Sequence, residues 1–270
     1  MQSAQTAAAW PVDNVAVAVV AADGRILGRH GDQDRRFPLA SVTKPLTAYA
    51  VLVAVEEGAV ELDQPAGPDG STLRHLLAHA SGLAFDQRAV QAAPGTRRIY
   101  SNTGFEVLAE FVRDATGIPF DRYLAEAVFE PLGMASSTLP GSPAAGGEST
   151  CADLARFAAE LQAPKLVSAE LLGEATTVAF PGLNGVLPGY GSQRPNDWGL
   201  GFELRDHKSP HWTGALNSPS TFGHFGQSGT FLWVDPAAGV ACVALADRPF
   251  GEWAIAAWPP FSDAVLGELR

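Results

Sequence analysis

The chain has 270 residues, 46% of them hydrophobic and 17% charged, which suits one compact unit or two intimately packed lobes around a real core. A net charge of −11 repels polyanions, so nucleic acid and anionic membrane surfaces are not expected partners. No apolar run approaches bilayer length, and residues 1–11 carry no Lys or Arg, so the expected compartment is the cytoplasm.

Residues 15–20 are rich in alternating β-branched side chains and predict a strand. Asp23-Gly24 centres a turn, and residues 26–29 return as a second strand of a hairpin. Residues 31–36 are polar connection. A helix is expected from about Ser41 to Glu57, stopped by Gly58, with Pro45 in its first turn, where a missing amide hydrogen is tolerated. It is apolar nearly all round, which predicts a central, buried position. Further helices are expected over 73–79, 102–115, 120–128, 152–161 and 168–176. Residues 139–149 and 180–197 are rich in Gly and Pro and read as loops. Strand character returns at 199–204, 222–225, 230–234 and 240–246, and a helix over 254–269, interrupted by Pro259-Pro260, closes the chain.

This order predicts an α+β fold: an antiparallel sheet flanked by helices, with a mostly helical lobe inserted. The α/β lobe would comprise residues 1–60 and 198–270 and the helical lobe 61–197, with the site at their seam. Cys151 and Cys242 lie far apart without a thiol motif, and are expected as buried, reduced thiols.

Three segments carry chemistry. In Ser41-Val42-Thr43-Lys44, residues i and i+3 share a helix face, so the Lys44 amine lies beside the Ser41 hydroxyl. A serine needs a base within hydrogen-bond reach, and a desolvated lysine gives up its proton readily. Only three lysines occur in the chain, and this one sits in an apolar helix. In Tyr100-Ser101-Asn102, the tyrosine can shuttle a proton and the Asn102 amide can hold both Lys44 and a substrate carbonyl. In Gly223-His224-Phe225-Gly226-Gln227, flanking glycines let a ligand approach the backbone, the Gln227 amide can serve an oxyanion, and His224 can bond to Tyr100 or a leaving group. Read singly, each has a plainer alternative: a helix cap, a core tyrosine, a structural histidine.

Together, in this order, they resemble the serine β-lactamase and penicillin-binding-protein superfamily, most closely its class C branch of β-lactamases, esterases and D-aminoacyl hydrolases. The resemblance extends through residues 37–44, 73–83, 100–108, 130–134 and 198–202. It implies an inserted helical lobe and an acyl-enzyme on Ser41, with Lys44 and Tyr100 moving protons and Asn102 orienting. It also implies an oxyanion hole from the Ser41 and Gln227 amides. His224 stands where many relatives have Lys, and Gly226 matches the glycine that follows. Phe225 replaces a hydroxyl residue. These two departures weaken the grip on a substrate carboxylate and favour small neutral esters or amides. A true β-lactamase or D-alanyl carboxypeptidase, an acyltransferase, and a non-catalytic binding domain of the same fold are the alternatives.

No cofactor or metal is expected. His75 and His79 are spaced i, i+4, but the glutamate of a zinc protease motif is missing. His207, Lys208 and His211 read as a solvated polar loop. Trp198, Trp212 and Phe225 could line an acyl pocket or simply fill the core.

Overall fold

The computed structural model describes residues 1–269. Strands β1 (Val15–Ala21) and β2 (Ile26–His30) form the expected hairpin. Strands β7 (Glu203–Leu204), β8 (Phe222–Gly226), β9 (Thr230–Asp235) and β10 (Val240–Ala246) join them in an antiparallel sheet ordered β2-β1-β10-β9-β8-β7. The two chain ends meet at the β1–β10 pair, where Val15 faces Ala246 and Val19 faces Cys242.

Both sheet faces are buried, and the strand alternation divides the core. Ala16, Ala18 and Val20, with Val243 and Leu245, join one apolar cluster. Val17 and Val19, with Cys242 and Ala244, join the other. Helices α1 (Thr43–Glu56) and α5 (Cys151–Glu160) fill the first side. Helix α7 (Glu252–Gly267) and a 3₁₀ helix at Ser3–Ala9 cover the second. Every residue of α1 from Thr43 to Ala54 is buried, as its all-round apolar character requires.

Helices α2 (Leu73–Leu77), α3 (Asn102–Thr116), α4 (Phe120–Leu124) and α6 (Ala169–Ala175) lie between the two parts of the sheet in sequence, and α4 runs on into a π-helical turn at Ala125–Phe129. Ser101 caps α3 by accepting from the Gly104 amide, and Gly117 ends it in the left-handed conformation.

Several expectations needed correction. Residues 31–36 and 139–149 are not wholly loop: β3 (Arg36–Pro38) pairs with β4 (Glu148–Thr150). Within 180–197, β5 (Gly185–Leu187) and β6 (Gly191–Gln193) form a hairpin. The strand expected over 199–204 shrinks to its last two residues. Pro259-Pro260 does not interrupt α7, because Trp258, Phe261 and Val265 bury one face against the sheet and offset the lost backbone bonds. No helix among the described residues is long and apolar enough to cross a membrane.

Candidate active site

Ser41 lies in a 3₁₀ turn, Ala40–Val42, that runs directly into α1. Ala40, just before it, adopts a positive φ of 46°, an uncommon conformation for a residue with a Cβ and one often stored at functional sites. Gly226 holds this turn close to the sheet. A Cβ there would sit 2.3 Å from the Leu39 carbonyl, which accepts from the Thr230 hydroxyl at 2.9 Å. Gly226 therefore acts through close backbone packing and is not a cavity-lining residue.

Lys44 is fully buried in the first turn of α1. Its ammonium nitrogen donates to Asn102 Oδ1 at 2.7 Å, the Ala144 carbonyl at 3.0 Å and Ser41 Oγ at 3.4 Å. It also lies 4.6 Å from the centre of the Tyr100 ring. Burial lowers its pKa to about 7, against a smaller upward pull from Asp86 and Glu106. A neutral amine is thus accessible near physiological pH, within reach of the serine proton.

Tyr100 precedes α3, with its hydroxyl 3.3 Å from His224 Nε2. His224 Nδ1 lies 2.6 Å from the Phe225 carbonyl, which can only accept, so Nδ1 carries the hydrogen and Nε2 is bare. The Tyr100 hydroxyl therefore donates to His224, leaving its oxygen lone pairs free toward Ser41. Burial raises the tyrosine pKa well above its ordinary value, with the Ser41 hydroxyl pulling the other way. Burial, reinforced by the nearby Lys44 charge, lowers His224 to about 3, so it stays neutral. Lys44 is thus within reach of its neutral form near pH 7, whereas Tyr100 stays a neutral hydroxyl.

Ser41, Lys44, Tyr100, Asn102 and His224 converge on one spot, and Ser41, Tyr100, His224, Phe225 and Gln227 line a cavity of about 320 Å³ beside it. Among the turn and loop hydrogen bonds of the described residues, neither the Ser41 nor the Gln227 amide has a partner, as an oxyanion site requires.

Two contributors carried no sequence signal. The Ala144 carbonyl, from the predicted loop, holds Lys44, and a backbone carbonyl has no residue signature. Asp86 accepts from Asn102 Nδ2 at 2.8 Å and so fixes which end of the amide faces Lys44. Because Asp86 also raises the Lys44 pKa, Asp86→Asn should move the acidic limb of a pH–rate profile to lower pH. Turnover against pH checks this, and an unmoved limb would show that the carboxylate does not reach Lys44 electrostatically.

His75 and His79 do not face one site. His75 stacks on Phe180 at 4.2 Å, while His79 Nδ1 accepts from the Ser101 amide at 3.1 Å and its ring packs 4.6 Å from that of Tyr100. Trp198 lines the cavity, whereas Trp212 packs in the core behind it.

Lys208 and His211 are not solvated; only His207 is. Lys208 is 4% exposed and donates to Glu203 Oε1 and the Asp197 carbonyl, both at 2.6 Å, and to the Leu204 carbonyl. His211 and Trp212 bond the other carboxylate oxygen, each at 2.8 Å. Burial alone would raise Glu203, but His211 and Lys208 outweigh it and hold the carboxyl at about 2. The polar neighbours of Lys208 suggested a loop in water, whereas the strand partner that buries it becomes visible only in three dimensions.

Comparison with known proteins shows the family. A family model described as Beta-lactamase matches residues 12–261. The crystal structure of a β-lactamase from Mycobacterium bovis is similar at 60% identity and a TM-score of 0.97, covering 99% of each chain. Esterase EstB of Burkholderia gladioli is 32% identical over 44% of this chain and 45% of its own length. The D-alanyl-D-alanine-carboxypeptidase/endopeptidase AmpH of Escherichia coli (strain K12) is 28% identical over 39% of this chain and 37% of its own. The matched stretch thus spans less than half the length of these curated relatives. With the family model matched over most of its length, the chain belongs to the Beta-lactamase family of serine hydrolases.

Proposed function

We propose that the protein hydrolyses small ester or amide substrates through an acyl-enzyme on Ser41. The observation that carries this reading is the fully buried Lys44, with a pKa of about 7, in hydrogen-bond reach of Ser41 Oγ. Lys44 takes the serine proton as Oγ attacks the substrate carbonyl. The Ser41 and Gln227 amides receive the oxyanion, and Asn102 keeps Lys44 aligned. As the leaving group departs, the Tyr100 hydroxyl turns its proton from His224 to it and regains one from the Lys44 ammonium beneath its ring. Water then cleaves the acyl-enzyme by the same path in reverse. His224, as a neutral acceptor, holds the Tyr100 hydroxyl in place.

Intact-mass measurement tests the covalent step. Mixing with a nitrophenyl ester should add one acyl group at Ser41, and Ser41→Ala should add none. An adduct elsewhere, or none with active protein, refutes the assignment.

A second reading, β-lactam hydrolysis, is favoured by the 60% identity to the Mycobacterium bovis β-lactamase. Chromogenic cephalosporin turnover beside ester turnover separates the two. Phe225 and a neutral His224 offer a drug carboxylate no cation, which supports the ester reading. A reducing compartment such as the cytoplasm would keep the buried Cys151 and Cys242 as free thiols.

A further inference from the structure

We infer that the cavity beside Ser41 is an acyl-binding subsite for uncharged, apolar acyl groups of medium length, walled on one side by the β5–β6 hairpin. The inference rests on the proposal that Ser41 is acylated and adds what it is acylated with.

Away from the serine the cavity walls are mostly apolar, with Gln91, Arg97, Arg98 and Glu203 as the polar exceptions. The hairpin supplies Val186, Leu187 and Pro188, the segment before α3 supplies Phe85 and Ile99, and Phe225 lies on the sheet side. The hairpin is held in place. The Arg98 amide donates to the Asn184 carbonyl at 3.0 Å, and the Tyr190 ring packs 5.8 Å from Phe225 and 6.0 Å from Phe250. At the mouth, Phe85 is 49% exposed and Val186 53% exposed. These are large apolar side chains that a bound chain would remove from water.

The buried cations close to the cavity are already spent. Arg98 lines it, but its guanidinium donates to the carbonyls of Asn196, Ala78, Ala179 and Phe180. Lys208 directs its three hydrogen bonds to Glu203, Asp197 and Leu204. Lys44 directs its three to Asn102, Ala144 and Ser41. Arg97 is exposed and outside this buried set. The one carboxylate in the wall, Glu203, is held ionised by its pairing with Lys208 and His211. A substrate carboxylate entering the cavity would find no free buried cation, only the exposed Arg97 in its wall, and would face an existing anion.

Size sets the length. A volume of about 320 Å³ is near the lower bound of small-molecule sites. At roughly 30 Å³ for each water-sized group, it holds about ten such groups. That fits a chain of about six to ten carbons.

The test is a nitrophenyl ester series from acetate to decanoate, read as kcat/KM, with Ser41 labelling followed by mass in parallel. The rate constant should rise about fourfold per methylene up to hexanoate and level off by about decanoate. An ester ending in a carboxylate should be at least tenfold poorer than its neutral counterpart of equal length. Val186→Asp places a charge at the exposed rim and should lower the hexanoate-to-acetate ratio at least tenfold, with the thermal midpoint recorded to confirm folding. A flat series with Ser41 still labelled overturns the subsite and leaves the acyl-enzyme standing. So does a length dependence that follows the alcohol rather than the acyl group, or a preference for the carboxylate ester. Absence of both turnover and a Ser41 adduct overturns the two proposals together.

Discussion

Ester turnover is expected to fall at least about 10³-fold in Ser41→Ala, because the attacking oxygen is gone and binding alone leaves little catalysis. Lys44→Met should cost about 10²–10⁴-fold, the usual share of a general base, while keeping an unbranched side chain in the buried slot. Met offers no proton acceptor to Ser41 and no donor to Asn102 or the Ala144 carbonyl, so its loss combines chemistry and alignment. The pH profile distinguishes these. The amine must be neutral to accept a proton, and burial lowers its pKa to about 7. Wild-type kcat/KM should therefore fall about tenfold per pH unit below pH 7 and level off above it. The same shift has a stability consequence. The unfolded chain keeps the Lys44 proton up to the ordinary lysine range, so between about 7 and that range it binds more protons than the folded chain. Stability from this residue thus rises with pH across that window. A wild-type profile with no acidic limb near neutrality would remove Lys44 from the role of base.

Lys208→Met should destabilise the fold by roughly 3–5 kcal/mol, because it strands the Glu203 carboxylate in a site where both side chains are almost fully buried. For a chain of this size, that lowers the thermal midpoint by roughly 6–20 °C. The double variant Glu203→Gln with Lys208→Met removes the stranded charge and should recover much of the loss. His211 and Trp212 would then bond a neutral amide in place of the carboxylate. Thermal and urea unfolding of the single and double variants checks both parts. A single variant within about 1 kcal/mol of wild type would show that water reaches the carboxylate.

Local sequence determined much of this protein. The β1–β2 hairpin follows from alternating β-branched residues around Asp23-Gly24, and the buried α1 from apolar side chains on every face. The Ser41–Lys44 pairing follows from i, i+3 spacing alone, since three residues of helix suffice to bring the two groups together. A lone lysine in an apolar helix also made its burial readable. Lys208 shows the limit: its neighbours in the chain are polar, and only the packing of β7 and the Trp212 segment takes it from water. The same holds for the β3–β4 pair, whose strands lie more than a hundred residues apart, and for α7, where apolar packing overrides two prolines.

The site itself is mostly a tertiary product. Asn102, Ala144 and His224 reach Lys44 and Tyr100 across 58, 100 and 124 positions of sequence, distances over which no periodicity carries information. The sequence could nominate Tyr100 and His224, but not which donates to which. That direction depends on one backbone carbonyl occupying His224 Nδ1. Nor could it give the Lys44 pKa, which depends on the whole shell of packed atoms that excludes water. Residue type and local spacing determined which groups can do the chemistry. Desolvation and long-range hydrogen bonds, which exist only once the sheet and helices have packed, decided the protonation state in which each one stands.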